Sequence, residues 1–217
     1  MEHQEELREF IVTSAASIGL TLTEAHIDQF LTYLRELLVW NKKINLTSID
    51  QPRDIIVKHF IDSLAALNGS DIPLGSVVVD IGSGAGLPGI PLKIMREDLQ
   101  LILIEPVHKK SSFLKSLIGL LKLKNVSTFD GTVQEYASLS YKTQASVIVV
   151  RALKFEEIRT CITEILRPAG RVILYRTESI DTIELHNDFV LKKELTFSLP
   201  HSYGERVISV LETRKAA

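Results

Sequence analysis

The chain has 217 residues, a formal net charge of −2, 45% hydrophobic and 24% charged residues, and one cysteine. That length holds one well-buried domain with an appendage, or two small ones, and the lone Cys161 excludes a disulfide framework or a cysteine-rich zinc site. The mild acidity argues against a protein that coats nucleic acid indiscriminately, while leaving room for a local basic patch, because binding follows how charge is distributed.

The acidic opening MEHQEELREF lacks the apolar centre of a signal peptide, and no apolar run approaches the roughly 20 residues that span a bilayer, so a cytoplasmic protein is expected. Residues 1 to about 68 read as helical. In TLTEAHIDQFLTYLRELLVWNKKIN, Leu22, Ile27, Phe30, Leu34 and Leu37 recur at helical spacing, with Thr23 placed to cap the helix. QPRDIIVKHFIDSLAAL predicts a second amphipathic helix with Pro52 in its first turn, and NGSDIPLGS then marks a boundary. From Ser76 the pattern alternates. Apolar strands are predicted at VVVDIG, LQLILIEP, VSTFD, ASVIVV and RVILYR, with helices near 88–96, 108–123, 133–138 and 154–166 between them. Continuous Val/Ile runs suit strands buried on both faces, and strands alternating with helices imply a parallel doubly wound sheet. FVLKKELTFSLP and ERVISVLETR, separated by HSYG, read as a closing antiparallel hairpin. The expected division is a helical cap over 1–68 and an α/β unit over 69–217.

The first strand runs into a glycine turn, VVVDIGSGAGLPGIPLKI. In open α/β sheets, ligands sit beyond the carboxyl ends of the strands where strand order reverses, which makes this turn the leading site. No Lys-Ser or Lys-Thr follows Gly89, so it is not a phosphate-binding Walker loop. Gly84-Ala85-Gly86-Leu87-Pro88-Gly89 does match the dinucleotide fingerprint, and Glu105 ends the next strand where a ribose-binding acid belongs. The turn nevertheless starts early, at Asp80-Ile81-Gly82, and Pro88 removes a backbone N–H that a pyrophosphate would use. S-adenosylmethionine, a nucleoside with an amino-acid tail and no phosphate, fits those features.

Five blocks occur in order: WNKKINLTSI (40–49), HFIDSL (59–64), DIGSGAGLPGIPL (80–92), HKKSSFL (108–114) and VRA (150–152). Together they resemble the bacterial ribosomal RNA small-subunit methyltransferase G family, also called the glucose-inhibited division protein B family. The resemblance implies a class I S-adenosylmethionine-dependent methyltransferase fold, a Rossmann-like doubly wound sheet with an antiparallel C-terminal hairpin and an N-terminal helical cap. It implies methyl transfer to N7 of a guanosine in 16S ribosomal RNA. A substrate in the form of the 30S subunit or an assembly precursor, a monomeric chain and no metal are expected. Carried over by position, Gly82 and Leu87 belong to the cofactor loop, Glu105 is the acid after the second strand, and Val133 and Gln134 lie beside the adenine; Ser83, Gly84 and Gly86, between the two loop residues, are further candidates for binding the cofactor. Arg151 matches the site arginine after the fourth strand. The chain departs from the family in reading Thr132-Val133-Gln134-Glu135 where Arg-x-Glu-Glu is usual, Arg176 where a Lys is usual, and Val150 where Ser is usual.

The residues agree with such chemistry by elimination. Methylating pyrimidine C5 needs a nucleophilic cysteine, whereas Cys161 lies among Ile158, Ile162 and Ile165 as expected core filler. The Asn/Asp-Pro-Pro-Tyr/Phe loop common in amine methylation is absent after the fourth strand. Guanine N7 has a free lone pair and loses no proton, so positioning alone suffices. Arg151 could bind guanine O6, a phosphate or the cofactor carboxylate, or form a plain surface ion pair. Lys42, Lys43, Arg53, Lys58, His59, Lys109, Lys110 and Lys115 are candidates for a basic rim. His59 and Asp62 read as a pair on one helix face rather than half a metal site, and Trp40 as core. The competing readings are an NAD-dependent oxidoreductase, which needs a hydride-transfer site not found here, and a non-catalytic ribosome-associated RNA-binding module.

Overall fold

The computed structural model describes residues 2–186 and 188–214. The N-terminal region is helical as expected. Helix α1 (Glu2–Ser17) is followed by α2 (Glu24–Ile44), which Thr23 opens: its hydroxyl accepts from His26 N–H while the His26 ring accepts from Thr23 N–H. The third helical run departs from the predicted regular helix. It starts as α3 (Pro52–Ile55), with Pro52 in the first turn, widens into a π-helical turn over Ile56–Ile61, and ends as α4 (Asp62–Leu64) with a 3-10 turn, Ala65–Leu67. Such i→i+5 turns recur at functional sites, and this one carries His59.

Strands and helices then alternate at the predicted places: β1 (Val77–Ile81), α5 (Gly89–Met95), β2 (Gln100–Glu105), α6 (His108–Leu120), β3 (Val126–Asp130), α7 (Val133–Ser138), β4 (Ala145–Arg151) and α8 (Phe155–Ile165). β5 (Leu166–Arg176) begins earlier than RVILYR suggested, because Leu166 already pairs with Ala145 ahead of an irregular stretch. β6 (Phe189–Ser198) and β7 (Glu205–Thr213) form the antiparallel hairpin. The seven strands lie in the order β3-β2-β1-β4-β5-β7-β6, parallel through β5 and antiparallel beyond. Strand order reverses between β1 and β4, which brings the glycine turn and Arg151 to one end of the sheet.

The apolar strand runs are explained by two cores. Val78, Leu101, Leu103, Val147 and Val149 face the layer of α1, α2, the third helical run, α5 and α6. Their neighbours Val79, Ile104, Ile148 and Val150 face α7 and α8. Trp40 joins the first core, with its ring edge-on to Phe113 at 5.6 Å, as its apolar setting predicted. Cys161 is a correction in degree: it borders the second core half-buried rather than filling it. Buried Lys93 of α5 donates to the Glu97 and Leu99 carbonyls, at 2.7 and 2.6 Å, and so ties down the turn between α5 and β2.

Helix α5 is seated by a close approach. Gly89 donates its N–H to Asp80 Oδ2 at 2.9 Å, and a Cβ there would lie 2.7 Å from that oxygen and 2.9 Å from Leu103 Cδ2. Gly89→Ala is expected to lower the unfolding free energy by about 1–3 kcal/mol in urea titrations, since neither neighbour can retreat within a packed core. A change below about 0.5 kcal/mol would show that the seat is loose.

Candidate functional site

A cleft of about 900 Å³ opens beyond the carboxyl ends of β4 and β5. Its floor holds Arg151, the last residue of β4, and Tyr175 of β5. The π-turn contributes Lys58 and His59, α4 contributes Asp62, and the start of β7 contributes Arg206.

These groups form one network. Arg151 Nη1 lies 3.2 Å from Asp62 Oδ2 and donates to the Lys58 carbonyl at 3.4 Å. Arg206 Nε lies 3.4 Å from the other Asp62 oxygen, so one buried carboxylate faces two guanidiniums. Burial raises the Asp62 pKa, while Arg151 and then Arg206 pull it down. His59 places Nε2 2.8 Å from the Thr47 hydroxyl, and Thr47 is fixed by reciprocal bonds with Asn41, each 2.9 Å long. Because the Lys58 carbonyl can only accept, the hydrogen of neutral His59 sits on Nδ1, and Nε2 accepts from the Thr47 hydroxyl, whose oxygen in turn accepts from Ile49 N–H. Burial, aided by the Arg151 charge, holds the His59 imidazole down at about 4 and therefore neutral near pH 7.

The glycine turn lies beside this cleft. Leu153, a cleft residue, covers Gly82 so closely that a Cβ at Gly82 would come within 2.6 Å of its Cδ1. Gly82 also has φ +71°, a left-handed conformation that favours glycine. Nearly every backbone N–H of the turn is taken up internally. Gly82 and Ser83 donate to the Ile104 carbonyl, Gly86 and Leu87 to the Ser83 carbonyl, Gly84 to Glu105 and Gly89 to Asp80. Pro88 has no N–H to give. A pyrophosphate-binding turn presents such groups to its ligand, whereas this turn is closed on itself. Fully buried Asp80 beneath it is pushed up to about 7, chiefly by burial, with the Gly89 N–H and Arg151 opposing.

Of the residues singled out in the sequence, Arg151 lines the cleft. Gly82, Ser83, Gly84, Gly86 and Leu87 form the adjoining turn. Glu105 is buried with each oxygen accepting one backbone N–H, from Gly84 at 2.7 Å and Val107 at 2.9 Å, which leaves a second lone pair on each. Val133 and Gln134 open α7, the first buried and the second exposed, behind a capping box between Thr132 and Glu135. The expected rim is not continuous. Lys58 and His59 belong to the cleft, Arg53 lies over the Phe10 ring at 5.0 Å, and Lys115 is 4.0 Å from Asp130. Lys42, Lys43, Lys109 and Lys110 sit on the adjoining helices α2 and α6.

Sequence reasoning missed His59 and Asp62 as partners of Arg151, and missed Arg206 altogether. Among the described residues no group of three or more His, Cys, Asp or Glu could hold a metal, and no helix is long and apolar enough to cross a membrane.

The sequence matches the family described as rRNA small subunit methyltransferase G over residues 26–206. Ribosomal RNA small subunit methyltransferase G of Lachnoclostridium phytofermentans is 33% identical over 208 residues, covering 92% of this chain and 86% of that protein. Among solved structures, precorrin-6y C5,15-methyltransferase from Geobacter metallireducens GS-15 is 15% identical with a TM-score of 0.51, over 71% of this chain and 87% of that one. MtNAS in complex with MTA and tNA is 14% identical with a TM-score of 0.60, over 99% of this chain and 88% of that one. At these identities the structural likeness shows the fold alone.

The buried His59 gives the site a pH signature. Its contribution to stability is complete above pH 6.5, where folded and unfolded chains both carry it neutral, and is lost as pH falls through about 4, because the unfolded chain takes up the proton first. Between pH 7 and 4, urea titrations are expected to show a drop in unfolding free energy about 3 kcal/mol larger for the wild type than for His59→Asn. Equal drops would mean that the ring is not held neutral.

Proposed function

The chain belongs to the rRNA small subunit methyltransferase G family, and from that membership we propose that it transfers the methyl group of S-adenosylmethionine to N7 of a guanosine in 16S ribosomal RNA. The observation that carries this reading is the convergence of distant blocks on one cleft. Asn41 and Thr47, His59 and Asp62, and Arg151 come from three separate stretches of sequence and meet at the point where strand order reverses.

The residues present suit the cofactor. A turn whose amides are satisfied internally favours a nucleoside without phosphate. The spare lone pairs of Glu105 would accept ribose hydroxyls, and Val133 and Gln134 would flank the adenine, with Gln134 able both to donate and to accept. When bound, S-adenosylmethionine supplies an electrophilic sulfonium methyl. The remaining requirement is to place guanine N7 in line with that methyl, which is catalysis by proximity. N7 carries a lone pair and gives up no proton, so no general base is required. His59, neutral and hydrogen-bonded at Nε2 by Thr47, moves no proton; its Nδ1–H donates to the same Lys58 carbonyl that Arg151 reaches and so helps to fix that carbonyl. Arg151 then orients the target nucleotide, with donors for guanine O6 or phosphate.

In the same reading, residues 1–68 are a cap, residues 69–217 form the methyltransferase unit, the chain acts as a cytoplasmic monomer, and the substrate is the 30S subunit or its precursor. Arg151→Ala is expected to reduce transfer of tritiated methyl to 30S subunits lacking the modification by about 100-fold, a loss typical of misplaced reactants. Unchanged turnover would sink the role given to Arg151. Mass spectrometry of the product rRNA is expected to find 7-methylguanosine. Calorimetry is expected to detect binding of S-adenosylmethionine and none of NAD; the opposite pattern would favour an oxidoreductase.

A further inference from the structure

Two stretches of the sequence, residues 37–49 and 106–129, contain no Asp or Glu. The first holds Lys42 and Lys43, and the second holds five lysines between positions 109 and 124. Without those seven charges, the formal −2 of the chain becomes −9 for everything else. These two segments, far apart in sequence, thus carry net positive charge while the remainder of the chain is acidic.

The fold packs those segments together. The first closes α2, and the second comprises α6 and its flanks. Trp40, near the end of α2, meets Phe113 early in α6 at 5.6 Å, while Gln29 near the start of α2 donates to the Leu121 carbonyl just beyond α6, at 3.2 Å. The helices therefore run antiparallel, which brings the last turn of α2, with Lys42 and Lys43, and the first turn of α6, with Lys109 and Lys110, to the same end of the pair. Lys42, Lys43 and Lys109 are exposed and Lys110 is half-buried. None of the four has an ion-pair partner among the described residues, whereas Arg8, Lys58, Arg96 and Arg171 elsewhere are all paired. Lys109 and Lys110 are also placed against the helix dipole, since the N-terminal end of a helix repels cations. Lys42 and Lys43 complement the C-terminal end of α2, whereas the dipole of α6 opposes Lys109 and Lys110, and a bound anion would offset that cost.

The position of the patch favours the anion. Helix α6 follows directly from the carboxyl end of β2, where Glu105 holds Gly84 of the glycine turn. The lysines therefore flank the turn at the same end of the sheet as the cleft, yet none of them lines the cleft. Resting on the reading that the chain methylates ribosomal RNA, we propose that this α2–α6 face is a second RNA contact, gripping the phosphate backbone beside the target nucleotide while the cleft takes the nucleotide itself. Lysines suit that role because a flexible point charge neutralises phosphate without reading sequence.

The test is the salt dependence of binding to 16S rRNA by the full chain and by the quadruple variant Lys42→Ala, Lys43→Ala, Lys109→Ala, Lys110→Ala. Each phosphate contact contributes about 0.7–0.9 to the slope of log affinity against log salt, so the variant slope is expected to be shallower by about 3. Its affinity near 0.1 M salt is expected to fall at least about tenfold, with the melting temperature and the affinity for S-adenosylmethionine unchanged. An unchanged slope and affinity would overturn the proposal. So would a variant that loses binding to phosphatidylserine vesicles while keeping its RNA slope, because the face would then serve a membrane. Failure of the two readings can be told apart. A wild-type chain that binds rRNA through these lysines but transfers no methyl leaves the contact standing and removes the enzyme. A chain that transfers methyl with equal slopes in both proteins does the reverse.

Discussion

A single carboxylate, Asp62, lies between the guanidiniums of Arg151 and Arg206, and the arrangement of the cleft depends on it. Two cations this close repel, and each loses hydration on entering the floor of the cleft. Removing one partner of a buried ion pair typically costs about 3–5 kcal/mol because the charge left behind is uncompensated. The carboxylate also joins three elements with no sequence proximity: the third helical run, the end of β4 and the start of β7. The third helical run is therefore part of the cleft, since it supplies the counter-charge that lets Arg151 sit at the sheet's switch point. A neutral His59 follows from the same constraint. A third cation beside Arg151 would add to the repulsion that Asp62 already balances, and both burial and the Arg151 charge keep the proton off.

The glycine turn is governed by a different economy. Its amides point inward, to Ile104, Ser83, Asp80 and Glu105, and the buried Tyr33 of α2 donates from outside to the Ala85 carbonyl at 2.5 Å. A turn tied at so many points is shaped before any ligand arrives, which lowers the entropy lost on binding. It also has little left for a pyrophosphate. The formal match to a dinucleotide fingerprint is thus satisfied in sequence and denied in hydrogen bonding, and Pro88 and the early Asp80-Ile81-Gly82 were the visible signs of that difference.

The β/α rhythm was legible because it rests on local rules. Val and Ile runs signalled strands covered on both faces, Thr23 and Pro52 marked helix starts, and a four-residue gap marked the hairpin. The glycine turn and Arg151 could be placed because both end strands. What stayed hidden depends on tertiary contact. His59 and Asp62 looked like neighbours on an ordinary helix face, and nothing local says that they meet an arginine 89 positions beyond Asp62. The π-turn that carries His59 has no simple spacing signature. Arg206 lies at the start of the predicted hairpin's second strand with no local sign of a partner, and only strand order, which sets β7 next to β5, brings it to the cleft. The sequence-level rim was too inclusive for the same reason: charge sign is local, but pairing is not.

Net charge misleads for a related reason. A value of −2 averages a cationic pair of helix ends with a strongly acidic remainder, and a polyanion responds to the field it meets on approach rather than to the sum. At physiological salt that field extends only about 8 Å, so an anionic strand close to α2 and α6 is attracted while one approaching the acidic surfaces is repelled. Segregation of charge thereby selects orientation as well as partner. It brings a ligand in along the end of the sheet where the glycine turn, Leu153 and Arg151 lie next to one another. For a reaction that needs no base and depends on aligning two reactants, orientation imposed before contact lowers the entropy still to be lost on reaching the cleft.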